Sequence, residues 1–195
     1  MNRVFPRMPV PDANQVRIDD VAHALSNICR FNGHTRPFFS VLHHSLEVSA
    51  LCRAHAERFG VNARRAALAG LMHDAPEYVV GDVVSPMKRR LGNAFRDVYN
   101  EAERVVYAAL DVAEVAEECA AVVEWADREM LVSDAFRWRA RGTITDSAGN
   151  SYTIPEDGSR PEGLVIHFPD AKPLGPGEGT DEFVLLYRSL KESIR

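Results

Sequence analysis

Ala66-Ala67-Leu68-Ala69-Gly70-Leu71-Met72-His73-Asp74-Ala75-Pro76-Glu77 is the stretch on which the reading of this chain turns. Its first seven residues are small or apolar and predict a helix that starts near Asn62, an acceptable N-cap. Ala66, Gly70 and His73 share one face at helical spacing, so a neighbouring helix can come close to His73. Pro76 lacks an N–H and kinks or restarts the chain just after Asp74. An imidazole and a carboxylate are thus placed side by side at the end of a helix of small residues.

Working outward toward the N-terminus, a helix is predicted from about Ser40 to Phe59, stopped by Gly60. His44 shares a face with Val41, Val48 and Leu51, which turns its imidazole inward. Its neighbour His43 lies with Glu47, Ala50 and Ala54 and is the weaker candidate. Before it, Asp19-Asp20 precedes Val21, Ala24, Leu25 and Ile28, a helix with acids at its start; Gly33 and Pro37 end it. Residues 1 to about 17 hold Pro6, Pro9 and Pro11 and read as an irregular arm. Toward the C-terminus, 78–92 reads as loop with a short helical turn around Met87 to Leu91. Helices follow at about Ala94 to Leu110 and Ala113 to Arg139, the latter carrying Asp127 between Val123 and Met130 on one face. Beyond Gly142, Thr143-Ile144-Thr145 and Tyr152-Thr153-Ile154 flank a turn and predict a β-hairpin. Leu164-Val165-Ile166 reads as a third short strand, Pro169 to Thr180 as Gly/Pro-rich loop, and Asp181 to Ile194 as a closing helix.

The expectation is one domain over 1–195: a helical core at about 18–140, hairpin and loop decoration at 142–180, and a closing helix at 181–195. A chain of 195 residues is ample for one core and short for two. No run suggests a signal peptide or a membrane span. Cys29, Cys52 and Cys119 are far apart and odd in number, which points away from a disulfide framework and toward a cytoplasmic protein with reduced thiols. The net charge of −5 argues against a binder of long nucleic acid. A small anionic substrate stays open, because a bound cation and local basic residues reverse the field locally. Arg30 to Arg36 and Lys88-Arg89-Arg90 supply such residues.

A divalent metal needs imidazole and carboxylate ligands converging from different elements. His44, His73, Asp74 and Asp127 form such a set. Taken singly, each has an ordinary structural reading. His44 alone is more often a hydrogen-bonded core histidine, and Asp127 an ion-pair partner of Arg128 or of a neighbouring helix. Asp74 and Glu77 have capping-box spacing, and Glu77 and Asp82 alone are solvated loop acids.

The ordered combination is more specific. Residues 40 to 90 contain Ser-Val-Leu-His-His-Ser, then Leu-Met-His-Asp-Ala-Pro-Glu, then Gly-Asp-Val-Val-Ser-Pro-Met-Lys. This resembles the HD-domain superfamily of metal-dependent phosphohydrolases, in particular its bacterial 5′-deoxynucleotidase branch and the phage dATP triphosphohydrolases. The resemblance covers about residues 20 to 135 and implies an all-α helical bundle, here with a small β-hairpin insertion near the C-terminus. It implies one divalent metal ion (Mn, Co, Zn, Fe, Ni or Mg) on His44, His73, Asp74 and Asp127. It further implies Glu77 and Asp82 as catalytic acids, and Arg30, Phe31 and Lys88 as substrate contacts. Phe31 stands where the deoxynucleotidase branch tends to have Trp, and the hairpin has no matching part.

The resemblance implies hydrolysis of a small nucleotide. Phosphate release from a deoxynucleoside monophosphate is the first reading, and triphosphate release from dATP the alternative. Partners on this reading are a small nucleotide and a second copy of the chain in a homodimer or higher oligomer, with no membrane. A non-catalytic helical binding or dimerisation module stands as the reading from another class, distinguished by its metal content. Trp125 and Trp138 are expected in core or interface, His34 as a structural or phosphate-facing residue, and His55 and His167 outside the site.

Overall fold

The computed structural model describes residues 12–138, 142–145, 149–155, 159 and 165–194. The helices are α1 (Ile18–Asn27), α2 (Val41–His55), α3 (Ala63–Met72), α4 (Glu77–Val80), α5 (Ser85–Leu91), α6 (Asn93–Ala109), α7 (Ala113–Glu118), α8 (Ala120–Arg137) and α9 (Thr180–Ser193). Strands β1 (Gly142–Thr145) and β2 (Ser151–Ile154) form the antiparallel hairpin. The protein is mainly helical with a small hairpin toward its C-terminal end, as the sequence predicts.

Helix α2 is the centre of the bundle. It is capped by the Ser40 hydroxyl, which accepts the His43 N–H at 3.1 Å, satisfying one of the free N–H groups of the first turn. Buried residues occur on every side of α2, from Val41, Leu42 and Val48 to His43, His44 and Glu47. A helix buried all round is a core helix rather than a surface one. Helix α3 lies against it at very short range. A β-carbon on Gly70 would sit 2.9 Å from Cys52 Sγ and 3.1 Å from both Ser49 Cα and the Val48 carbonyl oxygen. The absence of a side chain at Gly70 therefore sets the α2–α3 separation, and Ser49 Oγ locks it by donating to the Ala67 carbonyl at 2.7 Å. Helix α3 starts where the sequence places it, with Asn62 accepting the N–H groups of Arg64 and Arg65.

Two expectations need correction. The helix expected from Ala113 to Arg139 is two helices, interrupted at Cys119, whose backbone (φ −99°, ψ 9°) leaves the α-helical region. No Pro or Gly marks the break. Cys119 is fully buried between Val115 and Val122, also buried, so packing on both sides overrides good helix propensity. Arg65 on α3 then pairs with Glu114 and Glu118 of α7 at 2.8 and 2.6 Å. The third strand also fails: Leu164 lies outside the described residues, and Val165 and Ile166 have no strand structure. Most of the N-terminal arm lies outside them too, up to a single turn at Ala13–Gln15 and the buried Val16.

The hairpin pairs Gly142 with Ile154 and Ile144 with Tyr152. Ile154 is buried against Ala135 of α8, beside Phe31, Phe136 and Ile144. Helix α9 packs on α1 and α3 through the buried Phe183, Val184 and Leu190. Among the described residues no helix is long and apolar enough to cross a membrane.

Candidate metal and phosphate site

The close approach of α3 to α2 brings His73 beside His44, with ring centroids 5.2 Å apart. The chain turns sharply after Met72, and Asp74 enters the same space. One ligand atom from each of His44, His73 and Asp74 lies within 4.8 Å of the others. Asp127 arrives from α8: its Oδ1 is 3.0 Å from His44 Nε2 and 3.8 Å from His73 Nε2. Asp74 Oδ2 is 3.1 Å from His73 Nε2 and 3.9 Å from His44 Nε2. All four residues singled out in the sequence therefore converge, from three separate elements.

The second nitrogen of each ring is already engaged. His73 Nδ1 is 2.8 Å from the Gly70 carbonyl oxygen, which can only accept. Nδ1 therefore carries a proton, and Nε2 is the ring nitrogen that faces the cluster. That Nε2 is buried and has no hydrogen-bond partner, although Asp74 Oδ2 is near. His44 Nδ1 is 2.8 Å from Asp134 Oδ2, both residues fully buried, which turns His44 Nε2 toward Asp127 and Asp74. The donor set and the orphaned His73 Nε2 fit a divalent cation.

Electrostatics agree. Burial and the Arg30 charge press the His44 pKa down, yet Asp127 and Asp134 prevail and push it up to about 9. Against the cost of burial, His73, Arg30 and His44 hold Asp74 well below the usual carboxylate range. Asp127 and Asp134 are likewise lowered, against burial, by their hydrogen bonds to His44. The centre is a nest of carboxylates that calls for positive charge.

A cleft of about 350 Å³ opens beside these residues, lined by Arg30, Asp74, Glu77, Asp82, Lys88 and Asp127 among others. Arg30 donates to Asp74 Oδ2 at 3.1 Å. It is placed by a neck in which the Arg30 N–H bonds the Phe39 carbonyl (2.9 Å) and the Val41 N–H bonds the Ile28 carbonyl (3.0 Å). The loop then turns through left-handed Phe31 and Asn32 (φ 54° and 51°), which keeps the Phe31 ring near the hairpin. Glu77 is 1% exposed. Its Oε1 lies 3.5 Å from Lys88 Nζ and its Oε2 has no partner. Burial first, and then the Asp74 and Asp82 charges, raise its pKa well above the ordinary range. The Lys88 ammonium stands over the Phe95 and Tyr99 rings.

Two of the ordinary structural readings, an Asp74–Glu77 capping box and an Asp127–Arg128 pair, are not what the structure shows, while His44 does have the hydrogen bonds of a core histidine. Asp74 forms no capping box: the Glu77 N–H bonds the Asp74 backbone oxygen, while the Asp74 side chain turns to Arg30 and His73. Asp127 pairs with His44 and not with Arg128, which instead lines the cleft with His34. His43 stays out of the cluster, packed between Phe39 and Trp138. The sequence reading missed Asp134, whose signal was present: it follows Asp127 by seven residues, two helical turns on one face. It also missed the hairpin's share in the cleft, since Thr143 and Ile144 form part of its wall.

The HD-domain family model matches residues 41–150, more than half of the chain. The chain belongs to the HD-domain family. Within this HD domain fall His44, the His73-Asp74 pair and Asp127, while Arg30 and Phe31 precede the matched range. An uncharacterised protein of Rhodobacter capsulatus is 35% identical over 99 residues, 50% of this chain and 49% of that one. The uncharacterised protein YfdR of Escherichia coli is 40% identical over 78 residues, 40% of this chain and 38% of that one. Ribonuclease Y of Nitratidesulfovibrio vulgaris is 38% identical over 69 residues, 35% of this chain and 13% of that one. The chain thus matches about half or less of these relatives' length. Family membership and the ribonuclease Y likeness support metal-dependent phosphohydrolase chemistry for this HD domain.

Proposed function

We propose that this HD domain hydrolyses the phosphate ester of small nucleotides, and that its substrate is a deoxynucleoside 5′-monophosphate. The observation that carries the reading is the meeting, in one cleft, of the two-imidazole, two-carboxylate cluster with two cations and the buried Glu77 carboxyl group. His44, His73, Asp74 and Asp127 hold one divalent ion. Bound there, a divalent ion would supply Lewis acidity and lower the pKa of water. Arg30 and Lys88 receive the phosphoryl oxygens and offset the charge that grows on them. Phe31 borders the nucleoside end of the cleft.

The two free acids divide the proton work. Glu77, whose carboxyl burial pushes up in pKa, donates a proton to the ester oxygen as the phosphorus–oxygen bond breaks. Asp82, at the same cleft, takes a proton from the attacking water as the new phosphorus–oxygen bond forms. Bulk water returns both acids to their starting states. The products are inorganic phosphate and a deoxynucleoside.

Arg128 adds a further cation to the cleft beyond Arg30 and Lys88. That favours a second reading, cleavage of a deoxynucleoside triphosphate with release of intact triphosphate. Incubation with dAMP, dADP and dATP in Mg, Mn, Co or Zn, with separation of products, tests both. Phosphate and deoxyadenosine from dAMP are expected. Triphosphate from dATP with dAMP untouched moves the assignment to the second reading, and no turnover with any metal removes both.

A further inference from the structure

A chain of buried charges runs behind the metal cluster, on the side away from the cleft. Asp134 Oδ2 faces His44 Nδ1 at 2.8 Å. Its other oxygen, Oδ1, accepts from Arg137 at 2.7 Å. Arg137 continues to both Glu47 oxygens, at 2.8 and 2.5 Å, and donates to the Phe168 carbonyl at 2.7 Å. The Asp134 side chain is fully buried, and those of Arg137 and Glu47 are 6% and 8% exposed. Burial at this depth is costly for ions unless each is paired. None of the three reaches the cleft, so substrate contact cannot account for them.

The sequence of partners gives them a task. Asp134, as an acceptor, holds the proton of His44 on Nδ1 and fixes the ring plane, which leaves Nε2 free to ligate. Arg137 in turn fixes Asp134, since a carboxylate with one oxygen on a guanidinium cannot rotate away. Glu47 and the Phe168 carbonyl hold the two terminal nitrogens of Arg137 in place, while its Nε is buried without a partner. We propose that Asp134 and Arg137 are positioning residues that set the affinity of the centre for its divalent ion through the orientation and tautomer of His44. This rests on the metal-centre reading above.

The test is metal binding without substrate. Apo protein is titrated with Co²⁺, followed by its absorption, and with Zn²⁺ in competition. Loss of a carboxylate behind a ligating histidine costs about 10- to 100-fold in affinity. That loss is expected for Asp134→Ala, with a smaller one for Asp134→Asn, whose amide oxygen still accepts Nδ1–H. Arg137→Gln is expected to weaken binding, and Arg137→Lys, which keeps a charge on Asp134, to restore most of it. In the zinc-loaded protein the His44 Nδ1–H resonance should stand far downfield, persist in Arg137→Lys and vanish in Asp134→Ala. Should Asp134→Ala not fold, the isosteric Asp134→Asn and the Arg137 pair carry the test. A folded Asp134→Asn and Arg137→Gln with wild-type affinity overturn the positioning role alone. A wild-type protein that takes up neither ion overturns the metal-centre reading and this inference together.

Discussion

Asp74 meets Arg30 and lies close to both imidazoles, so its replacement acts on several groups at once. Asp74→Ala is expected to abolish retention of divalent metal, measured by elemental analysis after gel filtration, together with turnover. A metal-loaded, active Asp74→Ala would remove it from the centre. Glu77 should behave differently, because it lines the cleft with one oxygen unpartnered. Glu77→Gln is expected to retain metal while kcat falls by about 10²- to 10⁴-fold, the usual worth of a positioned proton donor. Loss of metal in that variant would place Glu77 among the ligands. At this scale the sequence was informative about residues with distinctive neighbours. His73-Asp74 is marked by its small-residue helix and by Pro76. Asp134 is marked only by its seven-residue spacing from Asp127, and Arg137 by nothing, since its role arises from packing between α2 and α8.

At the scale of elements, the α2–α3 contact decides whether the two histidines meet. Gly70→Ala puts a methyl group within 2.9 to 3.1 Å of Cys52 Sγ, Ser49 Cα and the Val48 carbonyl oxygen. Two of those three atoms are backbone and cannot swing aside. The expected cost is about 1–3 kcal/mol, read as a fall in the denaturation midpoint, with weakened metal binding as α3 is pushed outward. A Gly70→Ala protein of wild-type stability and affinity would show that the helices can part without consequence. The helices themselves were legible from caps and periodicity: Ser40, Asn62 and Gly60 stand where the sequence places them. The break at Cys119 was not, because only the packing of α7 against α3 and α6 reveals it.

For the whole molecule, pH and metal act in opposite senses. With metal removed, the raised His44 pKa means that the protonated imidazole contributes stability. That contribution is full below its ordinary 6.5 and is lost as pH rises through about 9. Metal binding requires Nε2 unprotonated, so its stabilisation grows over the same range. The gap in melting temperature between metal-loaded and chelator-treated protein is expected to widen from about pH 7 to about pH 9. A constant gap would separate His44 from the metal. The thiols offer an independent check on the fold. Cys52 and Cys119 are fully buried, and burial pushes their pKa values up to about 12 and 11. In native protein a thiol reagent should leave both unmodified while reaching the partly exposed Cys29, and all three should react after denaturation. Rapid modification of Cys52 in native protein would contradict the packing of α2 against α3.

The hairpin contributes Thr143 and Ile144 to the cleft but none of the His44, His73, Asp74 or Asp127 cluster. Its anchorage, Ile154 against Ala135, lies beside α8 rather than between α2 and α3. One part of the cleft wall is thus built from a stretch of chain separate from those that hold the cluster. A change in the length or sequence of this short ribbon would therefore alter the cleft's outline at Thr143 and Ile144 while leaving the four clustered side chains, and the helices that carry them, as they were.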